Sequence, residues 1–268
     1  MGTMIRLLNA VADNDSLEIF PIPYTGVPGA KFVTETRRSL ALARDISGNK
    51  VPVTLQGSPV FADGYMRGGG GASATYKWLK AAYAPVANGS RTMCVVARLV
   101  TGSTGSAFPF SDNNGQAGCS LFIETTAGWR AQVLVTTGSA VSGVFPAPLP
   151  NLPVMEKTDW HFAVLVIDAE NRTASFKLPA LGYSTSATWT ADKTIAVGAG
   201  ELRIAGTSGA AAESCDVAFA TYHDRALTES EILSSIMPQR LTAMLSVWLS
   251  DIDTQVSMDD GKITPGEE

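Results

Sequence analysis

Histidine and cysteine are scarce in this chain, and so is charge. Two His and three Cys occur among 268 residues, and Asp, Glu, Lys and Arg together supply 17%. Two isolated imidazoles, His161 and His223, make no zinc site without further ligands at suitable spacing. Cys94, Cys119 and Cys215 contain no C-x-x-C pair, and an odd count points to reduced, buried thiols. A bridge between Cys94 and Cys119 on neighbouring strands is the alternative. The net charge of −5 provides no basic footprint for nucleic acid. The longest strongly apolar run, Phe162 to Ile167, falls far short of the ~20 residues of a membrane helix. Met1-Gly2-Thr3-Met4 has no basic segment leading into an apolar one, so a chain without a secretory leader is expected. No G-x-S-x-G elbow is present, which weakens a hydrolase reading.

Turn formers and alternating apolar residues are abundant instead. The chain has 25 Gly, 14 Pro and 45% hydrophobic residues, enough for one large β domain with terminal arms. Val51, Val53 and Leu55 alternate with Pro52 and Thr54, as a half-buried strand does. Thr92 to Val100 is strand-compatible on both faces. Cys119 to Thr125 and Trp129 to Thr136 read as a hairpin about Ala127-Gly128. Trp160 to Asp168 is apolar on both faces and reads as a covered central strand, turning at Asp168-Ala169-Glu170-Asn171 into Thr173 to Leu178. Ile195 to Gly198, Leu202 to Ile204 and Cys215 to Tyr222 add further strands. Gly68 to Gly71 reads as a flexible stretch, without the context of a phosphate loop.

The ends read differently. Prolines 21, 23 and 28 exclude a helix interior, so residues 1–36 read as an extended arm. Thr228 with Glu231 forms a capping box, and Leu227 with Ile232 a hydrophobic staple. Leu241, Met244, Leu245, Trp248, Leu249 and Ile252 follow helical spacing. The expected organisation is an arm over 1–36, a sandwich over 37–238, and an amphipathic helix and tail over 239–268. The fold class is all-β, a two-sheet antiparallel jelly-roll sandwich with one or two C-terminal helices.

Two segments carry a resemblance. Asp45-Ile46-Ser47-Gly48-Asn49 lies near the start, and Asp224-Arg225-Ala226-Leu227-Thr228-Glu229-Ser230-Glu231-Ile232 near the end. With Thr92 to Ala97, Asp159-Trp160-His161-Phe162-Ala163 and Ile195-Ala196-Val197-Gly198 between them, the chain resembles LamG-like (laminin G/pentraxin type) domains of the concanavalin A-like lectin/glucanase superfamily. Leu178-Pro179 departs from the Asn-Gly often found in the family after the hairpin strand. The resemblance implies a sandwich that binds sugars, proteins or calcium through its loops.

Aromatic residues in loops are the candidate sugar platforms, because a ring face stacks on a pyranose. Trp129, Phe108, Phe110 and Phe145 are the ligand-binding candidates, with Trp78 and Trp189 behind them, while Trp160 and Trp248 are assigned to the core. The loops from Gly102 to Gly118 and from Gly138 to Thr158 are long, and long loops tend to carry function. Calcium is the cofactor the resemblance raises, with Asp112, Asn113 and Asn114 as its oxygen ligands; an Asx turn accounts for the same residues. The expected function is a non-enzymatic carbohydrate- or protein-binding module of a phage virion, a tail fibre or tail-tip component recognising the host surface as a homo-oligomer. Assembly in bacterial cytoplasm and release by lysis would reconcile a lectin-like sandwich with absent disulfides. The alternatives are a structural or decoration subunit that binds no glycan, and a glycan-processing enzyme. No nucleic acid or membrane insertion is expected.

Overall fold

The computed structural model describes residues 29–35, 44–62, 65–70, 77–112, 117–137, 140–143, 158–195, 198, 200–206 and 213–233. In chain order its strands are β1 (Ala30–Glu35), β2 (Val53–Gln56), β3 (Val60–Ala62), β4 (Tyr65–Gly68), β5 (Trp78–Ala81) and β6 (Arg91–Leu99). There follow β7 (Ser106–Ser111), β8 (Gly118–Glu124), β9 (Gly128–Thr137), β10 (Ala140–Gly143) and β11 (His161–Asp168). The last are β12 (Thr173–Leu178), β13 (Tyr183–Thr188), β14 (Thr194–Ile195), β15 (Leu202–Ile204) and β16 (Cys215–His223). They form two antiparallel eight-stranded sheets. The first runs β13-β12-β11-β6-β16-β4-β3, with β1 also on β16. The second runs β10-β9-β8-β7-β15-β5-β2, with β14 also on β9.

Strand alternation builds the interior. Met93, Val95, Ala97 and Leu99 of β6 point inward, as do Leu121 and Ile123 of β8 and Trp129, Val133 and Val135 of β9. Each large apolar side chain moved from water contributes ~1.5–3 kcal/mol. β11 is covered on both sides: Ala163, Leu165 and Ile167 enter the interior, and Phe162 and Val164 join a second cluster on the first sheet's outer face. Leu227 and Ile232 lie in that outer cluster, flanking the capping box in which the Thr228 hydroxyl and the Glu231 carboxylate bond each other's backbone N–H.

The N-terminal boundary differs from expectation. Ala30–Glu35, assigned to the arm, is a strand paired with Phe219 to His223 of β16. The turn at Asp45 explains why. The Asp45 carboxylate accepts from the N–H groups of Val33 (3.1 Å), Ser47 (2.9 Å) and Val51 (2.9 Å), and the Asn49 amide donates to the Ala30 carbonyl at 2.7 Å. One carboxylate thus ties β1 to the segment leading into β2. β7 is the second difference. Pro109 argues against a regular strand, but it sits in a bulge between Ala107 and Phe110, where its carbonyl accepts from Ala205 N–H at 2.9 Å. The Trp248 helix and residues 1–28 lie outside the described residues.

One end of the interior is charged. Arg91 of β6 donates to the Asp112 carboxylate at 2.8 Å, to the Val86 carbonyl at 2.9 Å and to the Gly89 carbonyl at 3.2 Å. Both side chains are fully buried, and the pair joins the two sheets. A Cβ on Gly198 would collide with the Asp112 carbonyl, so glycine is required for this close approach. All three cysteines are free and buried, and burial pushes their thiol pKa values up. Cys94 belongs to the outer cluster and Cys119 to the interior, so the two are on different sheets.

Two outcomes follow from these buried ionisable groups. Arg91→Met leaves a buried carboxylate unpaired and is expected to cost ~3–5 kcal/mol in urea denaturation. The double variant Arg91→Met/Asp112→Leu removes both charges and should lose less than Arg91→Met alone. The second outcome concerns His223, which is fully buried; desolvation first, then the nearby Arg225, lowers its pKa from 6.5 to about 4, against Asp224 and Glu231. The unfolded chain therefore takes up the proton first, and stability should fall between about pH 6.5 and pH 4, by up to ~3 kcal/mol. Denaturation curves across that window should flatten in His223→Gln.

Candidate functional site

Antiparallel register places five residues in one lateral row on the outer face of the first sheet. Val60 of β3 is opposite Arg67 of β4, and Arg67 is opposite Asp216 of β16. Asp216 is opposite Arg98 of β6, and His161 pairs with Ala97, which puts Trp160 opposite Arg98. Neighbours of these residues along the strands, Met66, Cys215, Val217, Ala97 and Leu99, fill the interior, so the row itself faces outward.

The row is tightly bonded. Arg67 donates to Asp216 through Nε at 2.7 Å and Nη2 at 3.0 Å, and Arg98 Nε donates to the same carboxylate at 2.9 Å. The Asp216 side chain is 1% exposed, against 42% for Arg67 and 28% for Arg98. Hydrogen bonding to Asp216 holds the Arg67 guanidinium above its ordinary pKa. Two guanidiniums share one carboxylate, so the row keeps net positive charge. The Arg98 guanidinium lies 4.7 Å from the Trp160 ring centre and 5.3 Å from that of Tyr65, and Arg67 lies 5.7 Å from Tyr65. The two half-buried rings are 5.7 Å apart and inclined at 57°. Each such cation–ring contact contributes ~0.5–2 kcal/mol and fixes the guanidinium in place.

A cleft of about 390 Å³ opens at the β3–β4 end of the row. Val60, Arg67, Lys77, Ser214 and Gly68 to Gly70 line it. Of the glycine run expected to be flexible, Gly68 to Gly70 are packed, with Gly69 N–H donating to the Lys77 carbonyl at 2.7 Å, and Gly71 lies outside the described residues. Gly69 and Gly70 have φ of +74° and +72°, and a Cβ on Gly69 would collide with the Glu213 carbonyl. Only glycine fits this floor.

The residues singled out in the sequence go elsewhere. Trp129 is 2% exposed and Phe110 0%, both inside the sandwich, because strand alternation points them inward. Neither ring offers a face to a sugar. Trp189 is also in the interior. Phe108 is half-buried on the outer face of the second sheet, stacked at 5.5 Å on Phe122, over which Arg130 lies at 5.5 Å. Trp78 shares that face with Arg203 at 4.9 Å. Charges there are matched: Arg130 with Glu124, and Lys80 and Arg203 with Glu201. Asp112 is engaged by Arg91 and by the Cys119 N–H, so a calcium ion would have to displace a buried guanidinium to reach it. Asp112 therefore does not fit the proposed cation. Phe145, Asn113 and Asn114 lie outside the described residues. Among the described residues no three His, Cys, Asp or Glu cluster as metal ligands would.

Tyr65, Arg67, Arg98 and Asp216 carried no mark in the sequence, and Trp160 was assigned to the core. The one usable signal was charge on strand-like segments: Arg98 interrupts Thr92 to Val100, and Asp216 interrupts Cys215 to Tyr222.

No protein-family model matches the chain, and no curated protein matches it. Solved structures do. The botulinum neurotoxin serotype G binding domain is similar at a TM-score of 0.55 and 12% identity, over 76% of this chain and 50% of that one. A botulinum neurotoxin type C structure, described by cell entry dependent on interaction with two ganglioside molecules, is similar at 0.55 and 9% identity over 76% and 50%. Trypanosoma rangeli sialidase in complex with sialic acid gives 0.49 and 15% identity over 77% of this chain and 32% of that one. The chain thus spans half the toxin structures and a third of the sialidase. At these identities the likeness to the toxin domains is one of fold, a two-sheet β-sandwich.

Placing Trp129 in the interior yields a direct outcome. Trp129→Ala should cost ~3–5 kcal/mol and lower Tm on the order of 10 °C, as read by thermal denaturation.

Proposed function

We propose that the chain is a non-enzymatic carbohydrate-binding module that recognises a cell-surface glycan through the outer face of its first sheet. The observation that carries this reading is the Tyr65–Arg98–Trp160 cluster. Its rings provide apolar surface for the C–H faces of a sugar, and its guanidiniums donate to hydroxyl or acidic oxygens. Asp216 holds both guanidiniums before any ligand arrives, which lowers the ordering cost of binding. The ganglioside named for the toxin structure of similar fold supports a glycan as the ligand class.

A binding role is favoured over hydrolysis by the state of Asp216. Glycoside hydrolysis takes two carboxyl groups about 5–9 Å apart, one of them free to carry a proton. The carboxylate in the row is buried beneath two guanidiniums. The setting proposed with this function is a phage virion, in which a homo-oligomeric LamG-like module recognises the host. Three buried thiols support folding in a reducing cytoplasm before release.

Binding of the purified chain to an array of cell-surface glycans tests the reading. Tyr65→Ala and Trp160→Leu are each expected to weaken binding about tenfold while the melting curve stays cooperative. A folded chain that binds no glycan would favour a structural virion subunit, and turnover of a polysaccharide would establish an enzyme.

A further inference from the structure

We infer that the cleft beside the row seats an acidic substituent, so that the glycan is an anionic one. This rests on the carbohydrate reading and adds a ligand chemistry to it. Among the described residues the cleft is lined by two cationic residues, Arg67 and Lys77, and by no acidic one. That runs against the chain as a whole, whose net charge is −5. Arg67 spends Nε and Nη2 on Asp216, and its Nη1 has no hydrogen-bond partner among the described residues. Lys77 is half-buried and forms no ion pair among the described residues. By contrast, the cations on the second sheet's outer face, Lys80, Arg130 and Arg203, all meet a carboxylate.

The cleft is also shaped for an anion. Its volume of about 390 Å³ lies in the range of small-ligand pockets. Side-chain-free Gly69 and Gly70 form the floor, and Ser214 adds a hydroxyl donor. An arginine terminal nitrogen, an ammonium and a hydroxyl together suit a carboxylate, sulfate or phosphate group. Arg67 belongs to both the row and the cleft, so one ligand can lay its sugar ring on Tyr65 and Trp160 and direct its acid towards Lys77.

Matched glycans test this: one neutral oligosaccharide and its carboxylated, sulfated and phosphorylated counterparts, titrated calorimetrically against the whole chain. The acidic forms should bind about tenfold tighter than the neutral one, with affinity falling as salt rises. Which acidic form binds best identifies the source of the charge. Lys77→Gln should abolish most of the preference and leave neutral binding unchanged. Arg67→Met should also reduce the preference and, because Arg67 belongs to the row and pairs with Asp216, weaken neutral binding as well; its melting curve is recorded beside it. Equal binding of neutral and acidic glycans, unaffected by Lys77→Gln, would overturn the inference and leave the carbohydrate reading standing. Absence of binding to any glycan would overturn both.

Discussion

A carboxylate buried on the outward side of a sheet needs partners, and Asp216 has two. Desolvating an isolated charge costs several kcal/mol, so this position is tenable only when bonded on all sides. Arg67 supplies two hydrogen bonds and Arg98 a third. The consequence extends past Asp216. Each guanidinium, fixed at one edge, leaves its plane to pack against Tyr65, and Arg98 also covers Trp160. The result is a surface whose aromatic and cationic groups are held in place by the sheet, Tyr65, Arg67 and Arg98 on strands and Trp160 immediately before β11.

The sandwich makes that surface possible. β16 and β6 are neighbours at the centre of the first sheet, with their alternate residues locked in the interior. Register therefore dictates that Arg67, Asp216, Arg98 and Trp160 line up, since a slip of one residue would turn all of them inward. Further along the same face, Phe162, Val164 and Phe219 are covered with Leu227 and Ile232, and Tyr65 and Trp160 pack at the margin of that apolar patch. The row lies where the cover ends. Inside, Arg91 and Asp112 join the sheets with a fully buried ion pair, so the two faces hold a fixed distance. On the second sheet's outer face Lys80, Arg130 and Arg203 each have an acid beside them, so among the described residues that face carries no comparable excess.

Strand content was legible because it is a local property. The alternation at Val53 and Leu55, the two-sided apolar run from Phe162 to Ile167 and the box at Thr228 and Glu231 each announce themselves within a few residues. The site was not legible for the opposite reason. Arg67, Arg98 and Asp216 are 31 to 149 positions apart and meet only through register. Phe110 misled because an aromatic beside a proline reads as a loop residue, and Trp129 because it opens its strand next to the turn glycine; the parity of both strands turns the rings inward. Asp112 misled similarly: Asp-Asn-Asn-Gly spells a turn or an oxygen cluster, and nothing local reveals an arginine 21 positions away claiming the carboxylate. β1 was hidden by the prolines before it, and its anchor at Asp45 is itself a contact across 12 positions.

Nuclear magnetic resonance of the isotopically labelled chain, titrated with an acidic glycan, tests the central claim most directly. The Nε–H signals of Arg67 and Arg98 and the indole N–H of Trp160 should shift together and saturate at one concentration, while the indole N–H of Trp129 stays still. Shifts confined to the second sheet's outer face or to Trp129, with the Arg67–Asp216–Arg98 row unmoved, would contradict the account.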